Sequence, residues 1–275
     1  MSSLTFLFPA FLACLVLTGI HTYLGIHVIT RGVIFVDIAL AQIAALGMVV
    51  ALWLGLPHES GAVYLFGLGF TSLGALFFAY FRDDRLPQEA IVGVSFAVSS
   101  ALAIWVANGL PHGSEHIQEI LSGNILWVTG PQIFKTAILY GLLGYFHYRF
   151  REKFLLVSAD PAQARRQGLR LWLWDLLFYL SFGVVITSSV QMAGILLVFS
   201  FLIVPALCSM IFFKGLRARI LLGWGIGAAT SLAGITASYA WDLPTGPAIV
   251  AGFGVSLALC LLVKGMWGLR PVTHR

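Results

Sequence analysis

The apolar positions of this chain fall in nine long runs, near 4–26, 33–56, 61–81, 89–108, 132–148, 171–189, 192–213, 220–240 and 247–264, separated by short polar stretches. A helix needs roughly 20 apolar residues to cross the hydrocarbon core of a bilayer, and most of the runs are close to that length. None alternates with the period of a barrel strand, and backbone groups cannot stay unpaired in lipid, so each run predicts a membrane-spanning helix. The expected fold class is an all-α integral membrane protein, a bundle of about nine transmembrane helices in a single domain over 1–275. Nine spans take roughly 180 residues. Too little chain remains for a separate soluble domain.

Composition agrees, with 59% hydrophobic and 10% charged residues. The charges add an orientation. Of the sixteen Lys and Arg residues, all but Lys135 fall in connections on one side of the nine-span drawing. Those connections hold Arg31, Arg82 to Arg85, the stretch Arg149 to Arg170, the group from Lys214 to Arg219, and the C-terminal tail. Cytoplasmic loops collect Lys and Arg, so that side is expected to be cytosolic, with the N-terminus outside and the C-terminus inside. The same rule explains the net charge of +5 without a nucleic-acid ligand. The first apolar run, from Leu4 to Ile26, has no basic residue before it and no convincing cleavage site, so it reads as a span and not as a signal peptide.

Little in the chain points to an enzyme. No GxxxxGK[ST] phosphate loop occurs, so ATP must be handled by another subunit if it is used. His58 and Glu59 begin like a zinc-protease motif, but Ala62 stands where the second histidine belongs. No serine sits in a G-x-S-x-G turn. Cys14, Cys208 and Cys260 each lie alone in an apolar run, which suits small core residues. Gly223 and Gly227 have GxxxG spacing and are expected to let two helices approach closely. His21 and His147, near the inner ends of their spans, read as hydrogen-bonded packing residues more than as ligands.

The long connection from Arg149 to Arg170 contains a candidate short helix. Asp160 is a good N-cap, Pro161 suits the first helical position, and Gly168 suits the C-terminal cap, with Ala164 between them. From the residues alone, such a helix could lie in the membrane interface or serve as a peg for a partner. In the outer connection His112, Glu115, His116 and Glu119 are spaced three and four apart, which on a helix would make one face of metal-capable groups. The plainer reading of that loop is a solvated surface that docks another protein.

Asp175 near the start of the sixth span, the run from Met192 to Ala206 with its Gly-Ile-Leu-Leu-Val and later Pro205-Ala206, and the turn Trp241-Asp242-Leu243-Pro244-Thr245-Gly246 come in order. With Arg31 before the second span, Ser122-Gly123-Asn124-Ile125 after the outer loop, and the Asp160 to Gly168 segment, they cover most of the chain. This set resembles the membrane permease subunits of ATP-binding-cassette importers of divalent metals, the zinc, manganese and iron uptake family. The resemblance implies a homodimer of this chain in a bacterial cytoplasmic membrane, two cytosolic ATPase subunits and an extracytoplasmic metal-binding protein. It implies a divalent metal as the transported substrate, with no resident cofactor. It makes Asp160, Pro161, Ala164 and Gly168 the segment coupled to the ATPase.

One departure touches the cargo. Members of the family carry G-D-A-L-S-H early in the second span, with Asp and His four apart on one helix face. Aligned without gaps, this chain has Asp37 on the Gly, Ile38 on the Asp and Gln42 on the His. Asp37 and Gln42 are separated by about 140° around a helix, so one metal is not expected to bind both within one chain. They remain the candidates for the translocation path; the alternative is that Asp37 snorkels or caps a neighbouring helix. A stand-alone secondary transporter or channel should show paired ionisable residues near mid-membrane, and no charge is expected there; the other alternative keeps the architecture with a chelated-metal or non-metal cargo.

Overall fold

The computed structural model describes residues 3–57, 60–82, 86–110, 113, 115, 123 and 125–266, with side chains from Leu7 onward. All its long elements are helices: α1 Ser3–Arg31, α2 Val36–Trp53, α3 Gly61–Tyr80, α4 Gln88–Ala107, α5 Gly130–Arg149, α6 Arg151–Ala159, α7 Pro161–Arg166, α8 Leu171–Ala193, α9 Ile195–Phe212, α10 Leu216–Trp241 and α11 Thr245–Met266. A single 3-10 turn, Ile125–Trp127, precedes α5. Among the described residues eight helices are long and apolar enough to cross a membrane. The ninth predicted span, 132–148, is also a helix, α5, but Gln132, Lys135, Thr136, His147 and Arg149 make it too polar to be counted on composition.

Two groups of helices share one core. In the first, α9 and α10 pack against each other and each lies against both α1 and α11; in the second, α2 lies against α3, α4 and α8. Small residues set the spacing. Gly223 and Gly227 of α10 face Thr22 and Thr18 of α1, and a Cβ on either glycine would overlap the threonine methyl group. The GxxxG pair is therefore a packing element between α10 and α1. A Cβ on Gly25 would overlap the Leu202 carbonyl, which lets α9 press directly on the backbone of α1. In α2, five alanines and Gly47 allow 12 of the 18 residues to be buried, so this helix is enclosed on most of its circumference.

The structure moves one predicted boundary. The apolar runs 171–189 and 192–213 place a break between 189 and 192, but α8 continues to Ala193 and the break falls at Gly194, whose φ of 76° favours glycine. Ser188 and Ser189 do not break the helix, because their hydroxyls donate back to carbonyls one turn earlier, Ser188 Oγ to Val184 O at 2.9 Å and Ser189 Oγ to Val185 O at 2.6 Å. The turn at Asp242 is closed by local chemistry. Asp242 adopts the left-handed conformation, Leu243 N donates to Ser238 O at 3.0 Å, and the Ser238 hydroxyl lies 2.6 Å from Thr245 Oγ1.

Candidate functional site

Sequence and structure agree on a short helix in the connection between α5 and α8. Asp160 Oδ1 accepts a hydrogen bond from Gln163 N at 2.8 Å, which satisfies one free donor at the start of α7, and Pro161 needs no such partner. At the other end Gly168 has a φ of 78°, while Gly168 N and Leu169 N donate to Arg165 O and Ala164 O, each at 3.0 Å. Ala164 is fully buried against the bundle, whereas Ala162, Gln163, Arg166 and Gln167 are exposed. A helix of six residues has little stability of its own. Two caps and one buried methyl hold it as a fixed projection with a polar outer face.

The connection also contains a helix that the sequence reading left out, α6, with Phe154 and Val157 fully buried at a spacing of three. Ser158, two residues before the Asp160 cap, ends in a buried polar network. Its Oγ accepts from Arg31 Nε at 2.9 Å and lies 2.8 Å from His27 Nδ1. The Ser158 hydroxyl accepts from Arg31 and bridges it to His27, whose Nε2 is buried without a hydrogen-bond partner among the described residues. Arg31 Nη1 continues to Asp175 Oδ1 at 2.7 Å, and Arg82 Nη1 reaches Asp175 Oδ2 at 2.5 Å. The Arg31 guanidinium also stacks over the Phe178 ring at 4.0 Å. Asp175 and Arg31 have side-chain exposures of 1% and 3%, so the carboxylate neutralises one buried guanidinium, and the remaining positive charge is shared with Arg82, which keeps 22% exposure to water. This network ties the end of α1, the chain after α3 and the start of α8 to the residues leading into α7.

A second cluster joins α1, α5 and α8 higher in the bundle. Tyr140 OH lies 2.5 Å from Ser189 Oγ and donates to Val185 O at 3.2 Å, while His21 Nε2 meets Ser189 Oγ at 3.2 Å. His21 Nδ1 bonds to Leu17 O at 2.7 Å, so both ring nitrogens are engaged. His147 Nε2 is 2.8 Å from Ser181 Oγ, and its ring stacks on Phe154 at 4.3 Å. Both histidines are buried packing residues.

Asp37 occupies the first turn of α2 and is 2% exposed, with Oδ1 buried and without a hydrogen-bond partner. Its carboxylate sits at a helix N-terminus, where the aligned peptide dipoles favour negative charge. Gln42 is buried on the same helix. Although they point to different sides, both are enclosed, because α2 is surrounded. The outer-loop candidates His112, His116 and Glu119 lie outside the described residues, as do His58, Glu59, Ser122 and Asn124; Glu115 is exposed. Among the described residues no three His, Cys, Asp or Glu side chains are grouped closely enough to hold a metal ion.

The described arrangement is a membrane bundle with one rigid polar projection joined to the helix ends by a buried ion network. A model of the ABC 3 transport family matches residues 3–264. The chain belongs to that family. A Haemophilus influenzae protein named "Probable iron transport system membrane protein" is 27% identical over 92% of this chain and 93% of its own length. The "Manganese import system permease protein ScaB" of Streptococcus gordonii is 26% identical over 94% of this chain and 90% of its own. In solved structures, a chain of PsaBC from Streptococcus pneumoniae, in complex with Fab, superposes with a TM-score of 0.78 at 22% identity, covering 93% of this chain and 91% of that one. The ABC 3 transport fold is thus shared across almost the whole chain, and the protein is a multi-pass component of a bacterial cytoplasmic membrane.

Proposed function

We propose that this chain is the membrane permease subunit of an ATP-binding-cassette importer for a divalent transition metal. Two copies form the pathway, two cytosolic ATPase subunits supply the energy, and an extracytoplasmic metal-binding protein delivers the cargo. The observation that carries this reading is the capped projection from Asp160 to Gly168, joined through Ser158 to the Arg31–Asp175–Arg82 network. A partner that pushes on α7 pushes on a piece that cannot fold away, and the displacement reaches α1 and α8 through charge-assisted bonds. The charge asymmetry supports a cytosolic position for this end of the bundle. The least buried of the apolar helices, α4 and α11, expose Val94, Val98, Trp105, Val255, Leu259 and Leu262, an apolar surface available to a second copy.

Manganese or iron is the favoured cargo, because relatives carrying those names cover most of the chain, and zinc remains within the same class. Asp37 and Gln42 are assigned to the path. The buried, unpartnered Asp37 oxygen is the donor best suited to meet a cation on the way through. In proteoliposomes containing the permease and its ATPase, with the binding protein outside, Asp37→Asn is expected to lower radioactive manganese or iron uptake about tenfold, the loss of roughly one charge-assisted contact. Gln42→Ala should lower it less. Uptake equal to that of the unaltered protein in both variants would remove these residues from the path, and uptake without ATP would point to a secondary transporter instead.

A further inference from the structure

A groove of about 810 Å³ opens beside the proposed coupling region, between α1, α5, α6 and the start of α10. Arg151 and Arg217 stand at one end of it, and Ile20, Leu155, Ile220 and Trp224 line the rest. The charged and apolar parts are ordered along the helix axis. Arg217 and Trp224 are seven residues apart on α10, about 10 Å of rise. Gly19, Gly144 and Gly215 contribute no side chain, and a Cβ on Gly19 or Gly215 would meet nothing within 4 Å.

The two arginines are placed against the preference of their own helices. Arg151 is the first residue of α6 and Arg217 the second of α10, positions where the helix dipole disfavours a cation. Among the described residues neither forms an ion pair; Arg151 instead lies over the Tyr148 ring at 4.8 Å. Two guanidinium groups and two helix N-termini thus concentrate positive potential at one end of an apolar trough. On the wall Tyr23 has a buried hydroxyl with no hydrogen-bond partner. A free phosphate would use only the charged end. A phospholipid would use both, with its phosphate on the arginines and an acyl chain along the aliphatic wall, and basic pockets between membrane helices are suited to such headgroups.

We infer that this groove is a binding site for one anionic phospholipid per protomer, with the phosphate held by Arg151 and Arg217. The site is on the cytosolic leaflet if the proposed sidedness is right, but lipid binding itself does not depend on that sidedness or on the metal assignment.

The test is native mass spectrometry of the full chain in detergent, titrated with phosphatidylglycerol or with phosphatidylcholine of the same acyl chains. The unaltered chain should retain phosphatidylglycerol about tenfold more tightly. Arg151→Gln/Arg217→Gln should reduce that preference to near parity while the protein stays monodisperse, and Arg151→Lys/Arg217→Lys should keep most of it. Gly19→Leu, which enters open space in the trough, should weaken retention of both lipids. Equal retention of the two lipids by the unaltered chain, or an unchanged preference in the double Gln variant, would overturn the assignment. Displacement of the lipid by inorganic phosphate alone would reassign the groove as a simple anion site.

Discussion

Asp175→Ala is expected to destabilise the bundle by about 3–5 kcal/mol, the cost of leaving a buried charge without its partner. The two carboxylate oxygens are each taken by one arginine, at 2.7 and 2.5 Å; Asp175 and Arg31 are shut off from water, while Arg82 keeps 22% side-chain exposure through which solvent screens part of its charge. Removing the carboxylate leaves two guanidinium groups facing one another, one of them with 3% side-chain exposure. Replacing Asp175 by Asn should be nearly as damaging, since its amide would present donors to donors. By contrast, changing all three positions together to apolar residues of similar length should recover much of the stability, because a buried ion cluster is costly to dehydrate in the first place. Thermal unfolding in detergent followed by intrinsic fluorescence reads both results. A melting temperature unchanged in Asp175→Ala would show that the network contributes nothing to the fold. If the apolar triple variant is stable yet does not transport, the network serves to transmit motion as well as to hold the helices.

Replacing residues 160–168 by a Gly/Ser linker of equal length should release the ATPase and abolish transport while leaving the bundle folded. Ala164 is the one side chain of that segment, of those described, that is fully buried, and truncating a single buried methyl costs about 1 kcal/mol. The fixed projection is lost, because Gly and Ser neither supply the Asp160 cap nor hold a six-residue helix. Co-purification of the ATPase with the variant measures the outcome, with thermal unfolding as the control for the fold. Retained ATPase at the normal stoichiometry would place the coupling surface elsewhere.

The features that were legible in the sequence are those set by neighbours along the chain. The limits of most long helices fall within a few residues of the apolar runs, because a charge, glycine or proline ends most of the runs; the two that lack such a stop, ending at 26 and 189, are the ones the structure extends furthest. The Asp160, Pro161 and Gly168 caps act over one turn, so they too could be read directly. Gly223 and Gly227 declared a close approach, but not that Thr22 and Thr18 would fill it. What could not be read depends on distant partners. Arg31 and Asp175 are separated by 144 residues, and Ser158 and His27 by 131. Nothing local distinguishes Arg31, a buried anchor, from the other basic residues that mark the same end of the bundle. The signal missed for α6 was present, since Phe154 and Val157 are spaced as one helix face, but the surrounding charges hid it. The first helix runs to Arg31 and not to residue 26 for a related reason: His27, Val28 and Arg31 all find buried partners there.

The most direct measurement of the central claim is elemental analysis of manganese, iron and zinc in whole cells, comparing a strain lacking this gene with the same strain carrying it again, under metal-limited growth. The proposed function predicts that one of these metals falls in the first strain and returns in the second, and that it does not return when the restored copy has the linker in place of residues 160–168. Equal contents of all three metals in both strains would contradict a metal importer.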